Sequence, residues 1–232
     1  ELHVQVEMPD RLVEVKVWQV RVGHVTLFLL DTDLEANSAR DRDIAHRLYG
    51  GDRTTRIEQE IILGVGGVRA LVAMGLKPTV WHINEGHAAF MILERIRHLT
   101  TQGIEISTAV EAVAAHTVFT THTAVPAGHD HFSEEMIRRY FEHACKELGV
   151  STDTLLALGR VPGGHEFNMT ALAVRTSRFH NGVSRIHGGV SAHILSSLWP
   201  QIEAEDNPVT YVTNGVHAPT FLSNEWNELF DR

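Results

Sequence analysis

One cysteine, Cys145, excludes an intrachain disulfide and is compatible with a reducing, cytoplasmic setting. Lysine is almost as scarce, with Lys16, Lys77 and Lys146 the complete set. The formal net charge of -9 leaves no clustered basic footprint, so nucleic acid is not an expected partner. No apolar run reaches membrane-spanning length and no secretory signal is visible, so no membrane role is expected either. Internal repeats and low-complexity stretches are absent. A Gly-x-Ser-x-Gly elbow is missing, which argues against serine hydrolase chemistry. The 232 residues suffice for one large domain, yet the chain starts at Glu1 without Met and stops at Arg232 after an apolar run. It reads as a segment of a longer protein.

What is present is an ordered α/β pattern. Residues 2–8, 12–22 and 24–30 alternate apolar and polar side chains, separated by Pro9-Asp10 and Gly23, which predicts three antiparallel strands. Residues 31–42 read as a loop and 43–49 as a short helix. Thr55 with Glu58 forms a capping-box pattern ahead of a long apolar helix that Gly75 and Pro78 end. Its Gly64-Val65-Gly66-Gly67 run falls two turns inside the helix, not between a strand and a helix, so close packing is expected and not a dinucleotide loop. Residues 79–83 read as a strand, with Asn84 as the N-cap of the helix that follows. After a helix at 107–115, a second strand runs from Val118 through Thr120-Thr121-His122-Thr123 and breaks at Pro126 and Gly128. Helices are expected at 133–148, 151–158, 168–175 and 183–199, with a loop at 160–166 and a strand at 209–212 leading into Thr213-Asn214-Gly215. Cys145 falls on the apolar stripe of the 133–148 helix and reads as a core thiol.

Three strands thus end in polar residues beside turns. A parallel crossover would bring Glu85, His87, His122 and Thr123 to one edge, where open α/β sheets take their ligands. The bland alternative is that the Thr and His side chains satisfy backbone groups in a strand-to-helix turn. Sixteen histidines invite a metal, with His129-Asp130-His131 and His116 near His122, but no His-Glu-x-x-His pair is present and alternating side chains need not converge. Asp52 and Glu85, both at loop–helix junctions, are a candidate carboxylate pair for glycoside hydrolysis. Short polar groups at strand ends suit a sugar's hydroxyls.

Several blocks together resemble the α-glucan (glycogen, starch and maltodextrin) phosphorylases. They are Leu48-Tyr49-Gly50-Gly51-Asp52, Arg56-Ile57-Glu58-Gln59-Glu60, Ile83-Asn84-Glu85-Gly86-His87 and Thr120-Thr121-His122-Thr123. Phe167-Asn168-Met169, Asn181-Gly182-Val183-Ser184-Arg185-Ile186-His187 and Thr213-Asn214-Gly215 follow in order. The glycine run and the Asn84–His87 block are more similar to the bacterial, shorter-type branch. The resemblance implies a GT-B glycosyltransferase, of which this chain would be a partial, Rossmann-like N-terminal domain. Residues 1–47 would be a β-rich lead-in, 48–222 the glucan-binding half, and 223–232 the start of the connection to a missing C-terminal domain. The implied reaction is retaining phosphorolysis of terminal α-1,4-glucosidic bonds by inorganic phosphate, releasing glucose 1-phosphate. Pyridoxal phosphate would serve through its phosphate group.

By the same resemblance, His122 and Asn214 hold the 6-hydroxyl of the glucosyl unit, with Thr123 beside His122, and Val183 lines its pocket. Asp52 lies on a mobile gate, next to Arg53, and His87 lies near the acceptor sugar, with Glu85 in the place of an Asp. Two departures matter. Ala127 stands where animal-type enzymes carry Glu, and none of the three lysines resembles the cofactor lysine, which lies in a later domain. The chain should then supply one wall of a site and no turnover alone. A homo-oligomer is compatible with this reading. The alternatives are a GT-B transferase using a nucleotide sugar, and a non-catalytic glucan-binding fragment.

Overall fold

The computed structural model describes residues 1–47, 50–125 and 128–230. It opens on an antiparallel meander of β1 (Leu2–Met8), β2 (Arg11–Val22) and β3 (Val25–Asp31). The expected alternation holds in β1 and the first half of β2. There Val4, Val6, Met8, Val13 and Val15 point inward and are buried. The tight turns follow from backbone chemistry: Asp10 and Gly23 adopt positive φ of 60° and 59°, a conformation that short polar residues and glycine tolerate best. The outer half of β2 and β3 exposes Val20, Val22, Val25 and Leu27.

The segment read as a loop contains a short helix, α1 (Ala39–Arg42), capped by Ser38. The expected helix at 43–49 is absent as far as residue 47, because the chain leaves α1 in successive turns. Leu48 and Tyr49 lie outside the described residues, as do Pro126 and Ala127. The next helix, α2 (Arg53–Ile61), starts earlier than the capping-box pattern implies. Asp52 is the N-cap and accepts from the Thr55 N–H at 2.9 Å, while Glu58 turns inward to side-chain partners. A single π-helical turn, Ile62–Gly66, joins α2 to α3 (Gly67–Ala73). Gly64 sits in that turn against the start of the helix that begins at Met91: a Cβ there would lie 2.7 Å from Met91 N and 2.9 Å from Phe90 C. Gly64 and, less tightly, Gly66 are packing positions, as the run's place inside the helix implied, whereas a Cβ at Gly67 would meet open space.

A four-stranded parallel sheet forms the second layer, in the order β4 (Trp81–Asn84), β5 (Thr117–Thr120), β8 (Phe179–Gly182) and β9 (Val209–Tyr211). Helices α4 (Met91–Thr101) and α5 (Ile106–Ala115) carry the chain from β4 to β5. Asn84 belongs to β4 and caps nothing; a short 3-10 turn at Gly86–Ala88 precedes α4. The excursion from β5 to β8 runs through β6 (His131–Ser133), α6 (Glu134–Glu147), α7 (Thr152–Gly159), β7 (Glu166–Asn168) and α8 (Met169–Arg175). Ser133, Ser151 and Asn168 each accept a hydrogen bond from a first-turn N–H, as N-caps do. Strands β6 and β7 pair antiparallel, so the expected loop at 160–166 ends in a strand. Buried Phe90 has its ring centroid 4.6 Å from that of Phe141 and 6.4 Å from those of Phe132 and Phe167. Cys145 is buried on α6, where desolvation raises its thiol above the ordinary range.

From β8 the chain enters α9 (Arg185–Ile194), capped by Ser184, and reaches β9; α10 (Ala218–Phe221) and α11 (Asn224–Phe230) follow. The expected 183–199 helix is therefore shorter and ends in a 3-10 turn at Ser196–Leu198. No described helix is long and apolar enough to cross a membrane.

Candidate functional site

Parallel strands finish on the same side of a sheet, so the residues after β4, β5, β8 and β9 form one edge. Glu85, His122, Val183 and Asn214 all belong to it. Pairing continues past the strands: Glu85 N donates to Thr120 O at 2.9 Å, Thr121 N to Asn181 O at 3.0 Å, and Asn214 N to Val183 O at 3.1 Å. The β5 and β9 ends are two strand spacings apart, about 10 Å, with β8 between them. His122 and Asn214 are both exposed. Among the described residues, neither the imidazole nor the side-chain amide has a hydrogen-bond partner; residue 122 is held through its main chain.

That main-chain tether comes from Glu85. Its Oε1 accepts from the His122 N–H in a short hydrogen bond and from Thr123 Oγ1 at 3.1 Å. Glu85 is 9% exposed, and its backbone has φ 63° and ψ 175°. The structure thus brings Glu85, His122 and Thr123 into direct contact, with Val183 and Asn214 further along the same edge.

His87 belongs to a second cluster. Its Nδ1 lies 2.8 Å from Asp130 Oδ2 and 2.8 Å from Arg56 Nη2. Arg56 also donates to Asp130, from Nη2 at 2.9 Å and Nε at 3.3 Å, and its Nε lies 3.2 Å from Glu60 Oε1. With the Nε hydrogen directed at Asp130, both Glu60 oxygens are buried without a hydrogen-bond partner. Burial and then the neighbouring Asp130 push the Glu60 carboxyl up to about 9, so it is neutral at pH 7. Burial acts on Asp130 in the same direction, but hydrogen bonds from His87 and Arg56 outweigh it and hold that carboxyl well below the usual range.

Glu60, His87 and Asp130 offer ligand atoms within 4.8 Å of one another. The Arg56 guanidinium already contacts all three, however, and supplies the positive charge where a cation would sit. The 129–131 run does not converge: His129 Nδ1 meets Thr170 Oγ1 at 2.6 Å and His131 Nε2 meets Asn168 Nδ2 at 2.8 Å, while Asp130 turns to His87. His116 Nδ1 donates to Ala112 O at 2.8 Å.

Asp52 and Arg53 are placed at the start of α2. The Thr55 N–H holds the Asp52 carboxyl below its ordinary pKa, and Arg53 pairs with Glu166 on β7 across an exposed surface. Glu85 and Asp52 are both engaged as acceptors of main-chain N–H groups. That use competes with the acid and nucleophile roles a glycoside-hydrolysing pair requires. The Arg56–Glu60–Asp130 contacts had a sequence signal for one leg alone, the Arg56/Glu60 spacing of one helical turn. Nothing local links Asp130 to His87.

No family model matches the chain. Among curated proteins, maltodextrin phosphorylase of Thermococcus litoralis is 42% identical over 235 residues, which take in 100% of this chain and 27% of that protein. Glycogen phosphorylase of Mycobacterium tuberculosis is 42% identical over 239 residues, 97% of this chain and 28% of its own length. Glycogen phosphorylase of Aquifex aeolicus is 34% identical over 232 residues, 99% of this chain and 33% of its own length. The chain is therefore homologous along essentially its whole length to one segment of the maltodextrin and glycogen phosphorylases, and spans roughly a quarter to a third of the relatives it matches.

Proposed function

We propose that this chain is part of an α-glucan phosphorylase and forms the glucan-binding wall of its site, within the N-terminal domain of a GT-B enzyme. The parent reaction is phosphorolysis of terminal α-1,4-glucosidic bonds, with α-1,4-glucan and inorganic phosphate as substrates and glucose 1-phosphate as product. The observation that carries the reading is the single strand-end edge holding His122, Val183 and Asn214, in a chain 42% identical over its length to a maltodextrin phosphorylase and a glycogen phosphorylase. An exposed imidazole and an exposed amide on that edge can each exchange a hydrogen bond with one hydroxyl. A sugar lacking that hydroxyl would leave them unpaired on binding, which is how such groups discriminate. In this reading His87, held by Asp130 and Arg56, lies near the acceptor sugar, and Asp52 and Arg53 at the α2 start belong to the gate over the site.

Pyridoxal phosphate does not fit the residues of this chain. Lys16 pairs with Glu1 at 2.8 Å and lies over Trp18, Lys146 pairs with Glu142 at 2.8 Å on an exposed helix face, and Lys77 is exposed beside Pro78. In this proposal the cofactor is held by polypeptide outside the chain, and no step here passes through it.

His122→Ala in an enzyme containing this segment is expected to lower phosphorolysis of maltooligosaccharide about 100-fold or more, with the melting temperature preserved. Glucose 1-phosphate release measured with and without phosphate reads this out. Near-normal rates would remove His122 from the glucosyl site. Elongation that depends on a nucleotide sugar, without phosphorolysis, would move the parent to the other transferase class.

A further inference from the structure

Glu85 combines three properties that rarely coincide. Its backbone occupies φ 63° and ψ 175°, a region that side chains other than glycine's enter at a cost. It is 9% exposed, so its carboxylate is largely removed from water. And its Oε1 is aimed across to the next strand, where it accepts from the His122 main-chain N–H and from Thr123 Oγ1 at 3.1 Å. The resemblance places Glu85 among the sugar-binding residues, yet the two hydrogen bonds spend one oxygen of its carboxylate on the neighbouring loop. Local packing alone does not call for Glu at this position. Glycine would relieve the backbone, whose N–H bond to Thr120 O at 2.9 Å it would keep.

We propose that Glu85 is a positioning residue: its carboxylate latches the His122–Thr123 segment at the end of β5, and so aims the His122 imidazole along the strand-end edge. The His122 side chain has no hydrogen-bond partner among the described residues, so its main chain is what fixes the point and bond direction from which the imidazole projects. The chain leaving β5 is exposed at residues 122, 124 and 125. Without the latch, the main chain of residue 122 has no other hydrogen bond among the described residues, and the Thr123 N–H keeps only its local bond to Thr121 Oγ1 at 3.3 Å. A charge-assisted bond from a carboxylate to a backbone N–H is among the stronger hydrogen bonds available to a loop. The strained backbone at Glu85 is the cost of placing that carboxylate there.

The latch is a property of this chain and is tested without reference to turnover; its consequence for catalysis rests on the phosphorylase reading. The decisive variant is Glu85→Gly, which relieves the positive φ and removes the carboxylate together. Positioning and plain structural support predict different outcomes for it. Under the proposal, the melting temperature of the 232-residue chain holds or rises. Meanwhile the His122 amide loses its downfield proton shift and exchanges with solvent about tenfold or more faster, the scale of one lost hydrogen bond to a charged group. Glu85→Gln, which keeps an acceptor but no charge, is expected to fall between. An unchanged His122 amide in Glu85→Gly overturns the latch, and so does loss of folding in Glu85→Gly with Glu85→Gln indistinguishable from the parent. In the enzyme containing this segment, Glu85→Gly should then lower kcat with the KM for phosphate unchanged. If the unsubstituted enzyme shows no phosphorolysis while the amide result holds, the functional reading fails and the latch stands.

Discussion

Glu58 and Glu60 lie two residues apart on α2, each about 1% exposed, in regions that treat a buried carboxylate in opposite ways. Around Glu58, where α2 meets the first turn of the meander and α6, one oxygen accepts from Arg11 at 2.8 Å, Arg40 at 3.0 Å and Tyr140 at 2.6 Å. Around Glu60, where α2 meets the turn after β4 and the chain entering β6, no described N–H donates to the carboxyl, whose neighbour is the Asp130 carboxylate, and Asp130 takes the donors of Arg56 and His87. The first region is a brace that ties three parts of the fold together through charge. The second keeps one carboxyl neutral and spends its cation on the histidine and aspartate beside the candidate site. Scaffold and site thus divide within a single turn of one helix.

Three substitutions break or sharpen that contrast. Glu58→Ala should have the largest effect, because it removes the one oxygen shared by Arg11, Arg40 and the Tyr140 hydroxyl, leaving Arg11 to Asp41 and Arg40 to solvent; a loss of about 3 kcal/mol in chemical denaturation is expected, the scale of hydrogen bonds to a charged group. A change under about 1 kcal/mol would show that the brace is weaker than its geometry, as surface ion pairs are. Next is Glu60→Gln, read as a pH profile. The folded carboxyl holds its proton up to about 9, whereas the unfolded one releases it near 4.5. Between those values the native state binds more protons, so stability falls as pH rises across the window, and below it the contribution is complete. Glutamine cannot titrate. The variant should match the parent near pH 5 and exceed it at pH 9 by a few kcal/mol; parallel profiles would show an ordinary, ionised Glu60. The smallest effect belongs to Tyr140→Phe, which removes one of three donors to Glu58 and should cost about 1 kcal/mol. Glu58 also raises the pKa of that phenol, second to burial, so the hydroxyl remains a donor at any working pH.

Most local structure was legible in the residues. Alternation marked the meander, the helices expected at 133–148, 151–158 and 168–175 formed as α6, α7 and α8, and the place of the glycine run inside a helix marked it as packing. The misses share a cause. Strand β8, Phe179–Gly182, carries no alternation, because most of a parallel strand is covered on both faces and its Phe-His-Asn-Gly run resembles a turn. Asp52 took the cap from Thr55, and Asn84 joined β4, where two neighbouring residues offered similar local chemistry and long-range packing chose between them. For the candidate site, the types and the shared edge were visible as polar strand ends. The partners were not: Glu85 reaches His122 across 37 residues, and Arg56 reaches Asp130 across 74.

The residues in their order were enough to specify strands, helices, caps and the apolar faces that must be hidden, since those depend on periodicities of two and 3.6 and on neighbours a few positions away. Folding alone chose the insertion of β8 between β5 and β9, the divergence of the two α2 glutamates, and the carboxylate that restrains residue 122. Each of these is a meeting of groups far apart in the chain. Its strength comes from excluded water and from the count of donors and acceptors that packing assembles, and no local pattern records that count.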